Sequence, residues 1–257
     1  MSEQTSKLSE KVISQELKNM GLDCKVVVLD EIDSTNLEAK RMARVVANEA
    51  VLLLAESQTA GKGRMGRSFY SPKSTGLYMS YMYTPKTDFS DSVTVTAAAS
   101  VAVARAIEKL TDLKPSIKWV NDIFIDGKKV SGILTEAVTG QNVKIIVGIG
   151  VNITTDDFPE DVSAIATALK TKLDRNVLAV EIIKHLQELI EELPQRTFID
   201  DYRKKSCVLG REVTFFKNGD QTHGTAVDID RDGGLIVETQ NGNVTLNTGE
   251  ITLRVGG

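Results

Sequence analysis

The sequence predicts an α+β protein. A mixed or antiparallel central sheet with flanking helices occupies residues 1–205, and a small all-β, barrel-like module occupies residues 206–257. Two observations carry this. Before residue 205, apolar runs of strand length alternate with helical periodicities, and several strands are joined by hairpins or tight loops. After Ser206 the texture changes to short strands at near-regular spacing, separated by turn dipeptides. A chain of 257 residues is long enough to bury a full core without disulfide or metal staples.

Leu8, Val12, Ile13, Leu17 and Met20 recur at helical spacing and Gly21 closes the segment, so residues 8–20 form a helix. VVVLDEI (26–32) is an apolar run of strand length. Ser34 or Thr35 caps a helix running to about Val46. AVLLLAE (50–56) is a buried strand, followed by a Gly/basic loop over 57–67 and a tyrosine-bearing strand, GLYMSYMY (76–83). Residues 92–110 form a long helix of small residues suited to close packing on a sheet. SIKWVND (116–122) is a strand with a polar end. Residues 123–138 form a hairpin turning at Asp126-Gly127. KIIVGIGVNI (143–153) is a strand interrupted by two glycines, and residues 176–194 form an amphipathic helix stopped by Pro194. In the last module, REVTFF, HGTAVDI, GLIVET, NVTLNT and EITLRV are strands. Asn218-Gly219, Asp232-Gly233-Gly234 and Asn241-Gly242 are its turns.

Composition excludes several classes. The formal net charge is −4, so no basic field gathers nucleic acid. With 7 Phe, 5 Tyr and 1 Trp, aromatics are few for a base-stacking surface. The 2 cysteines, Cys24 and Cys207, make no disulfide framework and no CxxC, and the 2 histidines, His185 and His223, make no zinc site. The first residues are polar and no apolar run approaches the ~18 residues of a membrane span, so a cytoplasmic protein is expected.

Four segments carry chemistry. Gln58-Thr59-Ala60-Gly61-Lys62-Gly63-Arg64-Met65-Gly66-Arg67 holds three glycines and three cations and no acid, the composition of a phosphate-binding loop. It formally contains GxGxxG, but Ser68-Phe69-Tyr70-Ser71-Pro72 follows where a dinucleotide fingerprint needs a helix. Lys118-Trp119-Val120-Asn121-Asp122 delivers an amide and a carboxylate at a strand end, and the hairpin returns Lys129 followed by Gly132-Ile133-Leu134. Asp33-Ser34-Thr35-Asn36 lies between a strand and a helix. Gly148-Ile149-Gly150-Val151-Asn152 places glycines in a strand, which suggests close approach of another group.

In this order, over about residues 30–155, these motifs resemble the biotin–protein ligases, and the C-terminal β-module with Gly249-Glu250-Ile251 resembles that family's end domain. The resemblance implies a class II synthetase-like catalytic domain. It implies a reaction in which biotin and ATP give biotinyl-5′-adenylate, and biotin then passes to one lysine of a biotin carboxyl carrier protein. The implied biotin site is Ser34, Thr35, Asn36, Gln58, Lys62, Gly63, Arg64, Lys129, Gly132, Leu134 and Gly148. The implied ATP site is Arg64, Arg67, Lys118, Trp119, Asn121 and Asn152. Lys129, Arg64 and Asp122 are the catalytic candidates, and Mg²⁺ is expected to ride on the ATP phosphates rather than in a protein cage.

The residue types suit that chemistry. A neutral ureido ring needs paired donors and acceptors. Joining a carboxylate to a polyanion needs converging cations. Lys62 stands where arginine is common in the family. Larger members carry an N-terminal DNA-binding domain, for which the stretch before Ser34 is short, so a monofunctional ligase without specific DNA or membrane partners is expected. A homodimer is open. The rival readings are a lipoate or octanoate ligase, a non-catalytic biotin-responsive regulator and a generic nucleotide-binding module.

Overall fold

The computed structural model describes residues 6–46, 48–86, 92–140, 142–217, 220–247 and 251–253. Helix α1 is Glu10–Asn19, with Ser9 as its N-cap accepting from Val12 N. Strand β1 (Lys25–Ile32) leads to α2 (Thr35–Met42), and β2 (Val51–Gln58) and β3 (Gly76–Tyr83) follow. Helix α3 spans Ser92–Leu110, followed by β4 (Ser116–Lys118), β5 (Asp122–Ile125), β6 (Lys128–Val138) and β7 (Lys144–Asn152). Helices α4 (Glu160–Ser163), α5 (Arg175–Glu191) and α6 (Ile199–Lys205) complete this part.

These strands form one seven-stranded sheet in the order β1-β2-β3-β7-β6-β5-β4. Only β1 and β2 pair in parallel. The remaining neighbours are antiparallel, so the sheet is mixed as the sequence predicts. Helices α3 and α5 pack on each other and on one face of the sheet. The small residues Ala97, Ala98, Val101 and Ala102 allow that close approach and are fully buried or nearly so. Helix α2 lies against β2, β3 and β7 and has its own small apolar cluster, Ala39 with Val51, Met82 and Ile146. The sheet is thus covered fully on one face and only in part on the other.

Four elements differ from the sequence reading. The expected strand 116–122 ends at Lys118, because residues 119–121 turn, with a cis Trp119–Val120 peptide, before β5 begins at Asp122. Helix α2 stops at Met42 rather than near Val46. Helices α4 and α6 have no counterpart in the sequence pattern, being 4 and 7 residues long and too short to show a period. The hairpin turn is as expected, with Asp126 and Gly127 both at positive φ, the conformation of a two-residue turn between twisted strands.

The C-terminal strands are β8 (Glu212–Lys217), β9 (Asp220–Ile229), β10 (Leu235–Thr239), β11 (Gly242–Leu246) and β12 (Thr252–Leu253). They form an antiparallel sheet in the order β11-β10-β9-β8-β12, so β11 and β12 are its edges. The Asn218-Gly219 turn and Gly249-Glu250 lie outside the described residues. Val213, Phe215, Ile229, Leu235 and Val237 belong to the same continuous apolar cluster as α3, α5 and the large sheet. Arg203 of α6 reaches this sheet, its Nε donating to Ile229 O at 2.7 Å, and residues 230–234 add a second contact. The Asp230 carboxylate accepts from the N–H groups of Asp232 and Gly234, and this shaped loop meets the first turns of α3, where Thr94 Oγ1 donates to Asp232 O.

Candidate active site

The half-covered face of the large sheet has a floor of glycines. Register sets Ser80 opposite Gly148 and Gly148 opposite Leu134. One step along, Tyr78, Gly150 and Gly132 form the next row. Residues directly opposite in an antiparallel ladder share a face. Side chains from elsewhere occupy the space these glycines leave. A Cβ at Gly148 would run into the amide of Asn36. One at Gly150 would lie 2.5 Å from the Phe69 ring. One at Gly132 would sit 3.1 Å from Lys129 Nζ and 3.5 Å from Phe69. The glycines are therefore required by close approach, as the strand pattern suggests.

The Asn36 end of this floor is neutral and fully networked. Ser34 stands at the N-cap of α2, yet its side chain makes no capping bond. The expectation that Ser34 or Thr35 caps the helix is corrected here, because Gln58 from the end of β2 takes that role. Its Oε1 accepts from Thr35 N at 2.8 Å and Thr35 Oγ1 at 3.1 Å. Gln58 Nε2 then donates to Ser71 Oγ (2.9 Å), which donates to Phe69 O (2.9 Å). Asn36 Nδ2 donates to Glu136 Oε2 (3.0 Å) and Leu134 O (3.3 Å). Ser80 Oγ lies 2.6 Å from Asn36 Oδ1 and 2.8 Å from Thr35 Oγ1. These assignments leave one N–H of Gln58 as a donor, and lone pairs on Asn36 Oδ1 and Thr35 Oγ1 as acceptors. Ser34, Thr35 and Asn36 are all buried.

The other end is cationic. Lys129 Nζ lies 2.7 Å from Asp122 Oδ1. Its approach is off the hydrogen-bonding direction, so charge rather than an aligned N–H joins the two. The ammonium also lies over Gly132, about two residues, or ~7 Å, along the strand from Leu134 and the neutral corner. Arg64 comes in from the glycine loop, where Nη1 donates to Asn121 Oδ1 at 3.2 Å, and Asn121 Nδ2 donates to Ile133 O at 3.0 Å. The loop is a compact turn. Lys62 bridges Ser68, Gly63 N donates to Arg67 O, and Phe69 N donates to Gly61 O. Met65 and Gly66 at its tip have positive φ.

Not every sequence candidate joins this cluster. Lys62 and Arg67 are exposed on the loop. Lys118 lies 5.7 Å from the Phe124 ring centroid, on the strand leading into the turn. Trp119 is buried, and its indole N–H donates to Gly233 O at 2.9 Å, so that group faces the C-terminal module rather than the glycine floor. Tyr202 braces the same turn. Its hydroxyl donates to Val120 O, and burial holds its pKa far above the ordinary tyrosine value. Asn152 is buried at the end of β7. Its Nδ2 donates to Thr167 O, while Oδ1 has no partner among the described residues and is an acceptor awaiting a donor. Sequence reasoning missed Phe69, Ser71, Ser80 and Glu136. Of these only Phe69 and Ser71 adjoin a recognised motif. Among the described residues no cluster of three or more His, Cys, Asp or Glu could hold a metal ion.

Comparison with known proteins fits this geometry. Residues 28–152 match the Biotin/lipoate A/B protein ligase family and residues 208–254 match the Biotin protein ligase C terminal domain. The chain is 32% identical to the bifunctional ligase/repressor BirA of Bacillus spizizenii, across 96% of this chain and 79% of that relative. The chain belongs to the biotin protein ligase family. A second member, the biotin–[acetyl-CoA-carboxylase] ligase of Mycobacterium tuberculosis, is 29% identical over 87% of each chain. The biotin protein ligase from Aquifex aeolicus, solved in complex with biotin and ATP, superposes with a TM-score of 0.78 at 30% identity. It covers 89% of this chain and 98% of that one. The family thus accounts for both the glycine-floored sheet and the C-terminal strands. No helix among the described residues is long and apolar enough to cross a membrane.

Proposed function

We propose that the chain activates biotin with ATP and transfers it to one lysine of a biotin carboxyl carrier protein. The observation that carries this is a single glycine floor with a neutral donor–acceptor corner at one end and a cation at the other. Biotin's ureido group presents one carbonyl acceptor flanked by two N–H donors. Gln58 Nε2 offers the donor, while Asn36 Oδ1 and Thr35 Oγ1 offer acceptors. The fused ring and valeryl chain then run along Leu134 and the glycines toward Lys129.

In the first step a biotin carboxylate oxygen attacks the α-phosphorus of ATP and pyrophosphate leaves. Lys129 and Arg64 offset the negative charge that concentrates there. Asp122, paired with Lys129, orients that ammonium. Asn152 Oδ1 suits the amino group of adenine. Lys62, Gly63 and Arg67 complete the loop that closes on the adenylate, with Lys118, Trp119 and Asn121 forming its far wall. Trp119 contributes through its ring and its anchorage. Mg²⁺ travels on the phosphates, since it needs few protein ligands when phosphates are present. In the second step the carrier lysine's amine attacks the biotinyl carbonyl, AMP leaves, and the lysine's proton is lost to solvent or a nearby acceptor. The division of labour falls at residues 205/206, with the first part binding both substrates.

ATP–pyrophosphate exchange measured with biotin, lipoate and octanoate in parallel tests the reading. Exchange should depend on biotin alone, and exchange with lipoate or octanoate but not biotin would overturn it. With a net charge of −4, the 257 residues should give no sequence-specific gel shift with or without biotin.

A further inference from the structure

Glu136 belongs to no motif of the sequence, yet it touches the neutral corner. It lies on β6 two residues beyond Leu134, opposite Ile146 of β7. Its Oε2 accepts from Asn36 Nδ2 at 3.0 Å, and its Oε1 receives Lys40 Nζ, from the outer turn of α2, at 2.6 Å. We propose that Glu136, held by Lys40, is a positioning residue that fixes which way the Asn36 amide faces, and so sets the polarity with which the pocket reads a ureido ring. The inference rests on the biotin reading above.

An asparagine amide is nearly symmetric in shape, so only its partners decide which side carries oxygen. Asn36 has three side-chain hydrogen-bond partners, Leu134 O, Glu136 Oε2 and Ser80 Oγ. The Leu134 carbonyl and the Glu136 carboxylate can only accept, so both demand the Nδ2 side. The buried Ser80 hydroxyl can donate or accept, so it follows the others rather than choosing. The bond to Leu134 O is the longer, at 3.3 Å, which leaves the carboxylate as the stronger determinant. A flipped amide would set Oδ1 against the Glu136 carboxylate. It would also turn two N–H donors toward Ser80 and the pocket, where the ligand's own N–H must dock. Lys40 opposes the negative charge of Glu136 and restrains its side chain, which allows a carboxylate to serve at a half-buried position.

The residue should therefore act on biotin recognition and not on ATP. Glu136→Gln keeps the shape but lets the side-chain amide offer either a donor or an acceptor, so both Asn36 orientations become available. The Michaelis constant for biotin should rise roughly tenfold to a hundredfold, the range for leaving a buried polar group unpaired. The Michaelis constant for ATP and kcat at saturating biotin should stay within about threefold. A second measurement isolates polarity from fold. Two cyclic carbamate analogues of biotin, each with ring oxygen in place of one N–H, compete against biotin in the exchange assay. The parent enzyme should discriminate strongly against at least one, and Glu136→Gln should lose most of that discrimination.

A parent enzyme that neither exchanges nor binds biotin by calorimetry would sink the biotin reading itself. A parent enzyme that binds biotin, with Glu136→Gln unchanged in both biotin constant and analogue discrimination, would sink the positioning role alone. A raised biotin constant in Glu136→Gln with the analogue discrimination fully retained would also count against it.

Discussion

Replacing Lys129 with alanine should slow adenylate formation far more than it weakens biotin binding. The ammonium lies over Gly132, at the end of the floor away from the neutral corner, and biotin's ring is neutral. Ground-state affinity should therefore come mainly from the Thr35, Asn36 and Gln58 contacts and from apolar burial. Negative charge concentrates near Lys129 only as the carboxylate meets the α-phosphate. An interaction made in the transition state lowers the rate when lost and leaves binding nearly intact. For unit charges 4 Å apart, the Coulomb energy is about 1 kcal/mol in water and about 4 kcal/mol near a protein surface. Lys129 and Asp122 have side chains 27% and 22% exposed, so the site lies toward the upper figure. A loss of about 3 kcal/mol, roughly a hundredfold or somewhat more, follows and agrees with the cost of removing one preorganised oxyanion donor. Alanine also strands the Asp122 carboxylate beside a polyanion, so adding Asp122→Asn should recover part of the rate. Lys129→Arg should recover only part, because a planar fork differs in shape from a point ammonium. Single-turnover formation of biotinyl-adenylate, with biotin affinity by calorimetry, separates the two effects. An unchanged adenylation rate, or a loss wholly in biotin affinity, would refute the reasoning.

Arg64→Gly should release biotinyl-adenylate, because the guanidinium that ties the glycine loop to Asn121 is removed while the neutral corner remains. Labelling of bystander lysines should rise, and unchanged selectivity would exclude a lid role. Gly148→Ala should raise the biotin dissociation constant at least tenfold with little change in the ATP constant, since the new methyl meets Asn36 inside the pocket. Removing one partner of the Glu56–Arg175 pair should cost about 3–5 kcal/mol in denaturant unfolding. Both side chains are buried, and Glu56 also accepts from Leu8 N and Ser74 Oγ. The Cys24 thiol is pushed up to about 11 by burial, then by Asp23 and Glu49. Its raised folded value means that stability is retained below the unfolded thiol's pKa and falls as pH rises toward 11. Alkylation of the native protein should stay slow at about pH 8.

Much of the fold was legible because its signals are local. Residues 76–83 and 92–110 have the boundaries their patterns predict, and Asp126-Gly127 turns as its dipeptide requires. The break at 119–121 was not legible, since an apolar-polar run reads the same whether it continues or kinks. At the candidate site, the motifs carried Thr35, Asn36, Gln58 and the floor glycines, which the structure brings together. They did not carry the partners behind them. Ser80 and Glu136 reach Asn36 only through strand register across a separation of 44 and 100 residues, which no spacing rule encodes. Its place in a motif assigns Trp119 to nucleotide, while its polar atom is spoken for by a glycine 114 residues away.

That indole–Gly233 bond bears on how freely such modules can be exchanged. The loop 230–234 is shaped by Asp230, seated by Thr94, and close to Val93 and Ala97 through Gly233. Cutting the chain after residue 205 would leave a buried donor without an acceptor and open the flank of α3 to solvent. A chimera that imports another barrel would inherit the same defect unless the graft brings a carbonyl to that point. The recombination unit is therefore the β-module together with its pentapeptide loop and the indole it clasps, and a shuffled library should tolerate breakpoints only where all three travel together.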